Sequence, residues 1–189
     1  MSQVVDRIRN GVNTEVMYGT LDAINGDPSL GVFQFRAQND WIDRAHNRST
    51  IKSFYGAGHE DSTRSEAFTL DAGEPAVLLG LDTGPNPAEH LLHALAACLT
   101  TTLVYVAAAR KVRLTEVQST LEGDIDVRGC LGLSDEVRNG FSRIRATFTV
   151  KGDAPPEKLR EIVERAQARS VVFDMVSHGV PVEVGVVAG

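Results

Sequence analysis

The hydrophobic pattern is clearest in the middle of the chain, where apolar residues form one long run. Leu91 to Ala109 is 19 residues without Asp, Glu, Lys or Arg. The signals for a helix start stand just before it, because Asn86 is a good N-cap, Pro87 suits the first helical position and Glu89 follows three residues after the cap. The pattern therefore predicts a helix over Pro87–Ala109.

The pattern after this helix alternates between strand and helix periodicities. Residues 117–127 and 144–150 alternate apolar with polar side chains, which predicts two half-buried strands. The pair at 155–156 is Pro-Pro and leads into a stretch whose apolar residues fall on one helical face. Residues 181–187 complete the chain with a predicted closing strand.

The first half of the chain gives weaker signals. Residues 1–30 are polar and Gly-rich and predict an N-terminal extension with at most one strand. Apolar residues at 32–35 predict a strand that ends near Gln38. Residues 39–64 are rich in turn-forming and polar types, which predicts loop around at most a short strand. We expect one more strand at 65–70 and then loop over 71–86.

The composition places these elements in one domain. The chain has 189 residues and 42% hydrophobic residues, enough for a sizeable core. We therefore divide it into the extension, residues 1–30, and a domain, residues 31–189. The net charge of −6 and the pI near 5.4 argue against nucleic acid or an anionic membrane surface as a partner.

The two cysteines, Cys98 and Cys130, form no CxxC motif, and the N-terminal residues lack the apolar core of a signal peptide. A cytoplasmic location follows as the expectation. The apolar run contains His93 and three consecutive threonines and lies between strand-like segments. We therefore expect a buried helix there and no membrane span.

The length of the predicted helix bears on the oligomeric state. A helix over Pro87–Ala109 is about 35 Å long, whereas a compact domain of this size has a radius of gyration of about 16 Å. Since the helix is apolar nearly all round, it needs cover on every side. A second copy of the chain is the simplest cover, and a larger sheet wrapping the helix is the monomeric alternative.

Cys98 is the candidate reactive residue, midway along this helix. A free cysteine is most often a small buried hydrophobe, so reactivity requires a lowered thiol pKa. Its own helix begins about three turns away, too far for the dipole to act strongly. A cationic side chain must then supply the charge. Arg36, Arg44, Arg48 and Arg64 precede the helix, and we take Arg44 and Arg48 as the site candidates.

The stretch from Gly84 to Cys98, GPNPAEHLLHALAAC, resembles the central-helix motif of the OsmC/Ohr family, named after osmotically induced protein C and the organic hydroperoxide resistance protein. Gly123–Asp126, a strand around Phe148, the Pro-led helix and Pro181–Val184 match the family in order. The resemblance covers residues 31–187. It implies an α+β, OsmC-like fold with curved antiparallel sheets around a long buried central helix, in an intertwined homodimer.

The resemblance also implies a chemistry. In the peroxidase members one Cys attacks the O–O bond of a hydroperoxide and becomes a sulfenic acid. A second Cys then forms a disulfide, external dithiols regenerate the enzyme, and an Arg with a carboxylate assists. Carried onto this chain, Cys98 is the attacking thiol, Glu89 the candidate carboxylate, and Arg44 or Arg48 the candidate cation.

Two positions depart from the peroxidase pattern. The resolving Cys aligns with Ser170, which cannot form a disulfide. The carboxylate that directly follows Asn-Pro is replaced by Ala88, and Glu89, one residue further, also fits a capping box. Cys130, in a glycine-flanked turn, is either a substitute resolver or an incidental cysteine.

Two functions follow as hypotheses. The first is a thiol-dependent, one-cysteine peroxidase in which Cys98 reduces an organic hydroperoxide or peroxide and an external thiol resolves it. The second is a non-enzymatic stress protein that binds a small apolar or thiol-reactive ligand beside an unreactive Cys98. We expect no cofactor and no metal, because His90 and His93 lack a third ligand at a recognised spacing and no nucleotide motif occurs.

Overall fold

The computed structural model describes residues 7–189, which divide into two compact units. The first unit contains Asn13–Leu91 and the described residues before Arg9. The second contains Arg9–Val12 and Leu92–Gly189. Each unit combines helices with antiparallel strands, as the α+β expectation requires.

The first unit is built mainly from short antiparallel strands. One sheet has the strand order β3-β4-β7 and a separate hairpin pairs β5 with β6. The residues of the small hairpin β1-β2 are divided between the two units. The elements from the start of the described chain to the long helix are β1 (Ile8–Arg9), β2 (Val12–Asn13), α1 (Thr14–Gly26), a 3-10 turn (Pro28–Gly31), β3 (Gln38–Asp43), β4 (His46–Ile51), β5 (Phe54–Gly56), β6 (His59–Asp61), β7 (Phe68–Ala72) and a 3-10 turn (Ala76–Leu78).

The second unit holds the main apolar core. The long helix enters it from the first unit, and the elements are α2 (Pro87–Ala109), β8 (Leu114–Asp124), β9 (Arg143–Gly152), α3 (Pro156–Gln167) and α4 (Val171–His178). The strands β8 and β9 form an antiparallel pair over their whole length. Leu103 and Ala107 of α2 are fully buried against Ile162 and Ala166 of α3. This contact fixes α3 on α2. The predicted bounds of α2 are confirmed, and so is the predicted amphipathic face of α3.

By length and composition alone, α2 also meets the requirements of a membrane span. Its most apolar 18-residue window has a mean hydropathy of 1.8, and 33% of that window is buried within the chain. The core helix of a soluble protein passes the same test, so this property by itself is weak evidence for a membrane location.

The prediction for the N-terminal region is wrong in its secondary structure. Residues 14–26 form the helix α1 and not a single strand. The Asn13 side chain caps it by accepting the backbone N–H groups of Glu15 and Val16. The helix buries none of its side chains and carries Gly19 inside it, so neither amphipathic periodicity nor propensity marks it in the sequence.

The predictions for residues 32–35 and 39–64 are also wrong. Phe33 and Phe35 lie outside the named strands and stack on each other with ring centroids 5.8 Å apart. The Phe33 ring lies where a side chain on Gly56 would stand. Residues 38–61 hold four strands instead of loop. The strand β3 is exposed along its full length, so it lacks the alternation that reveals a half-buried strand.

The predicted closing strand over residues 181–187 is absent from the described chain, where Val180–Gly189 has no regular secondary structure. Its valines are exposed, Val182 to 77% and Val187 to 99%. A strand requires a hydrogen-bonded neighbour, and within residues 7–189 no strand pairs with this segment. Its valine-rich, alternating sequence predicts a strand without specifying a partner.

The turn between β1 and β2 is bonded to the body of the second unit. The buried Arg9 guanidinium donates to the carbonyl of Ala108 at the end of α2 (3.3 Å). The Asn10 side chain donates to the Val112 carbonyl (2.9 Å) and accepts the Leu114 N–H (2.9 Å). These bonds satisfy backbone groups where α2 ends and β8 begins.

We predict that Asn10→Ala lowers the free energy of unfolding by about 1–3 kcal/mol, because two partly buried backbone groups lose their partner. Urea denaturation measures the change. Asn10 has φ +52°, a conformation that glycine adopts without strain. Asn10→Gly is therefore the matched control and should destabilise by a smaller but clear amount. An alanine variant as stable as the wild type would show that these hydrogen bonds contribute nothing.

Candidate functional site

Cys98 lies midway along α2 and is half-buried rather than sealed in the core. Its neighbours Leu95 and Leu99 are buried, so the helix carries the thiol at the border of its packed side. One turn later the Thr102 hydroxyl donates to the Cys98 carbonyl at 2.8 Å. Cys98 therefore lies at the edge of the second unit's core.

Ser170 lies directly against this thiol. Its hydroxyl donates to Cys98 Sγ at 3.2 Å and accepts the backbone N–H of Phe173 at 3.2 Å. The second bond makes Ser170 the N-cap of α4. The residue that the sequence aligned with the resolving position therefore contacts Cys98, as that alignment requires.

The beginning of α4 also faces the sulfur. The backbone N–H groups of Val172 and Val171 lie near the thiol and lower its pKa. They are the first two N–H groups of the helix, which have no carbonyl partner within it. The N-terminal end of a helix carries a partial positive charge, so it favours an anion at this point.

These contacts decide the acidity of the thiol. Burial raises the pKa of Cys98, but the Ser170 hydroxyl and the nearby Val172 and Val171 backbone N–H groups outweigh it and hold the pKa below its ordinary value. More of Cys98 is therefore thiolate at neutral pH than an ordinary cysteine would be. The pKa is lowered by the start of a helix elsewhere in the chain. The sequence did not reveal this helix start, because its pattern did not separate α4 from α3.

The candidate arginines lie in the first unit and Cys98 in the second. Arg48, on β4, binds the Asp71 carboxylate through Nε (2.9 Å) and a terminal nitrogen (3.2 Å). Hydrogen bonds from Arg48 and then from His46 hold the pKa of Asp71 below its usual value. Arg44 occupies the β3-β4 turn with φ +51°. A role for Arg44 or Arg48 at the thiol stays a prediction.

The other two arginines considered are also engaged within the first unit. Arg36 forms a two-pronged ion pair with Glu60, with N–O distances of 2.7 and 2.9 Å. The Arg64 guanidinium lies 5.2 Å from the ring centroids of both Phe54 and Phe68. Both side chains are thus held by local contacts.

Glu89 takes part in the predicted capping box. Its carboxylate accepts the Asn86 N–H, and the Asn86 side chain accepts the Glu89 N–H, both at 2.8 Å. This reciprocal pair satisfies two N–H groups at the start of α2. The capping interpretation is confirmed, and the catalytic one stays a prediction.

The remaining candidates make local contacts of their own. Cys130 is an exposed, free cysteine in a turn, and its Sγ donates to the Val127 carbonyl at 3.3 Å. His90 Nε2 is 3.1 Å from the Asp71 carbonyl oxygen. Across residues 7–189 no group of three or more His, Cys, Asp or Glu side chains is arranged to hold a metal ion.

Comparison with known proteins adds the family to this geometry. Residues 80–185, which include all of α2 and α4, match the family model of OsmC-like proteins. The chain belongs to the OsmC-like family. No curated protein matches the sequence of this OsmC-like protein significantly.

Solved structures share its fold. An OsmC-like protein from Mycoplasma pneumoniae has a TM-score of 0.58 at 14% identity, covering 76% of this chain and 87% of its own. An OsmC-like protein of unknown function from Vibrio cholerae has a TM-score of 0.51 at 12% identity, and the match covers 75% of this chain and 92% of that protein. An organic hydroperoxide resistance protein, OsmC, from Legionella pneumophila has a TM-score of 0.51 at 17% identity, and the match covers 76% of this chain and 88% of that protein. These likenesses confirm the α+β, OsmC-like fold.

The capping box gives a prediction that separates the two roles of Glu89. Asn86→Ala should destabilise the protein by about 1 kcal/mol, as loss of an N-cap does. Glu89→Gln keeps the capping box, since Gln serves equally at that position, and should unfold at nearly the wild-type urea concentration. If the Gln variant is as stable as expected but loses the peroxide reactivity of Cys98, the carboxylate has a catalytic role beyond the cap.

Proposed function

We propose that this protein is a thiol-dependent peroxidase in which Cys98 reduces an organic hydroperoxide or hydrogen peroxide. The observation that carries the proposal is the hydrogen bond of 3.2 Å from the hydroxyl of Ser170, the N-cap of α4, to the Cys98 sulfur. Such donors stabilise the thiolate, which is the nucleophilic form of cysteine. The name of the Legionella protein, organic hydroperoxide resistance protein, supports a peroxide as the substrate class.

The reaction is a two-electron oxidation of sulfur. The thiolate attacks one peroxide oxygen, the O–O bond breaks, and the other oxygen leaves with a proton as an alcohol or water. Cys98 becomes a sulfenic acid. An external thiol then forms a mixed disulfide with Cys98 and releases water. A second external thiol restores the Cys98 thiol and leaves as a disulfide.

The external thiol is needed because the residue in contact with Cys98 at the resolving position is a serine and not a cysteine. Ser170 occupies the resolving position with an oxygen. Cys130 lies in an exposed turn and bonds to a carbonyl in that turn. We therefore assign the protein to the one-cysteine type, working in the reducing cytoplasm, where free thiols are abundant.

Arg44 and Arg48 remain our candidates for a cation that orients the peroxide or its leaving oxygen. Arg48 is the stronger candidate because Asp71 already holds its guanidinium by two hydrogen bonds. A carboxylate–arginine pair of this kind is pre-organised for binding an oxygen ligand. Glu89 is the weaker candidate, since its carboxylate is occupied in the cap.

We further propose that the protein is a homodimer that packs α2 against its copy. His93, Ala97, Thr101 and Tyr105 are exposed and recur every four residues along the helix. Residues at this spacing form one ridge of a helix, and a ridge with small side chains lets a second helix approach closely. Tyr105, 51% exposed, and the exposed Val182 are apolar surfaces that a partner would cover.

A second candidate function is the binding of a small apolar ligand without catalysis. A groove of about 370 Å³ lies between β9 and α3 in the second unit. Its lining is mostly apolar, with one cation, and consists of Ala146, Phe148, Val150, Pro156, Leu159, Arg160 and Val163. Apolar walls with a single polar group are typical of small-molecule sites. This candidate gains if Cys98 proves unreactive.

We predict that peroxide oxidises Cys98 in two steps. Mass spectrometry after a peroxide titration should show a gain of one oxygen at Cys98 and then of two, because an unresolved sulfenic acid oxidises further. An excess of a small thiol should suppress the second step, and Cys98→Ser should abolish peroxide consumption. An unmodified Cys98 at peroxide levels that oxidise free cysteine would contradict the peroxidase proposal.

Ser170→Cys is the informative companion variant. It places a second sulfur where the hydroxyl lies 3.2 Å from Cys98 Sγ, close enough for a disulfide of about 2.05 Å after a small shift. Peroxide should then remove two hydrogens from the protein and crosslink Cys98 to the introduced cysteine, in place of the two-oxygen product. A Cys98–Cys130 crosslink in the wild type would instead make Cys130 the resolver.

The dimer proposal predicts a sedimenting mass of twice 20.4 kDa at micromolar concentration. Ala97→Glu places a charge on the exposed ridge of α2 and should shift the protein towards monomer, since burying an unpaired charge is costly. Gln118→Glu, on the exposed face of β8, adds the same charge elsewhere and should leave the dimer intact. A stable wild-type monomer would contradict the proposal.

A further inference from the structure

We propose that Ser170 is the positioning residue of the Cys98 site, and that it holds the sulfur against the first backbone N–H groups of α4. The inference rests on the proposed thiol chemistry of Cys98 and adds how that thiol is kept reactive. In this arrangement an uncharged helix end lowers the pKa of the thiol, a role for which the sequence suggested an arginine.

The hydroxyl of Ser170 has two tasks. It accepts the Phe173 N–H at 3.2 Å and donates to Cys98 Sγ at 3.2 Å. A hydroxyl has one proton and two lone pairs. Because Phe173 uses a lone pair, the single proton is available to the sulfur, which then acts as an acceptor. An acceptor role suits a thiolate better than a thiol.

The Ser170 cap leaves two N–H groups of α4 near the sulfur. The first intrahelical bond is from the Asp174 N–H to the Ser170 carbonyl, at 3.0 Å. The Phe173 N–H is taken by the Ser170 hydroxyl. The N–H groups of Val171 and Val172, which come before them, have no carbonyl partner within the helix. Both lower the pKa of the Cys98 thiol, so the cap that Ser170 forms directs this helix end towards the sulfur.

The burial of Ser170 supports a specific role. Only 2% of the residue is exposed. It follows α3 closely in the sequence, and Ala166 near the end of that helix is buried as well. Serine is mostly found at protein surfaces, and an unbonded hydroxyl at such a place is destabilising. Both bonds of the hydroxyl are therefore required for serine to be tolerated here, and one of them is to Cys98.

The test is the pH dependence of Cys98 alkylation by iodoacetamide, followed by mass spectrometry in a Cys130→Ser background that removes the exposed thiol. The midpoint of the rate against pH reports the thiol pKa. Ser170→Thr keeps the hydroxyl and the cap and should keep the wild-type midpoint. Ser170→Ala loses both, and its midpoint should rise by about one pH unit, since lost hydrogen bonds to the charged form raise a pKa.

Ser170→Gly separates the two tasks, because glycine caps a helix almost as well as serine but has no hydroxyl. Its midpoint should also rise, while its unfolding in urea stays closer to the wild type than that of Ser170→Ala. If the midpoints of the Ala and Gly variants equal that of the wild type, Ser170 has only a structural role and the inference is overturned. The peroxide titration of the wild type decides the proposed function independently of this result.

The salt dependence of the alkylation midpoint tests whether a charged side chain lowers the thiol pKa instead. Backbone dipoles at a half-buried sulfur are weakly screened, whereas an exposed arginine loses most of its effect at high ionic strength. The wild-type midpoint should therefore be the same at low and high potassium chloride. A midpoint that rises with salt in the wild type and in Ser170→Ala alike would assign the reactivity to a cation and overturn the inference.

Discussion

The contact between the start of α4 and the sulfur of Cys98 is the interaction on which the candidate chemistry depends. A helix end must place its unpaired N–H groups somewhere, and a half-buried thiolate is an anion in need of donors. The hydroxyl of Ser170 serves both, because it accepts the Phe173 N–H of α4 and donates to the Cys98 sulfur. Because hydrogen bonds of this kind depend on distance and direction, the site requires α4 and α2 to be held in one relative position.

That position is set by packing in the second unit. Leu103 and Ala107 of α2 are buried against Ile162 and Ala166 of α3. The chain then leaves α3 through tight turns, in which the Ser170 N–H bonds to the Gln167 carbonyl at 3.3 Å. Apolar contacts that carry no chemistry themselves thus determine where the cap of α4 lies. Cys98 is on the same helix as the core residues, so a repacking mutation at Leu103 would also move the sulfur.

The sequence was informative where a physical signal is local. The capping box and the apolar run placed α2 to the residue, and alignment brought Ser170 to Cys98. The strand β3 was not predicted because it is exposed along its whole length, and strand periodicity is visible only when one face is buried. The helix end at Cys98 was not predicted for a different reason. Its effect on the thiol arises from residues 72 positions apart, and no pattern within either helix encodes their approach.

Residue 170 shows why a thiol and a hydroxyl are not equivalent at this place. A cysteine there can close a disulfide and return Cys98 to its thiol through a dithiol partner. Its S–H is, however, a weak donor, so it contributes less to holding a thiolate than the hydroxyl of serine. Serine gives up the internal disulfide and keeps a strong hydrogen bond to the sulfur. In the one-cysteine mechanism that we propose, serine thus replaces self-resolution by a better-stabilised nucleophile, and turnover then depends on thiols from solution.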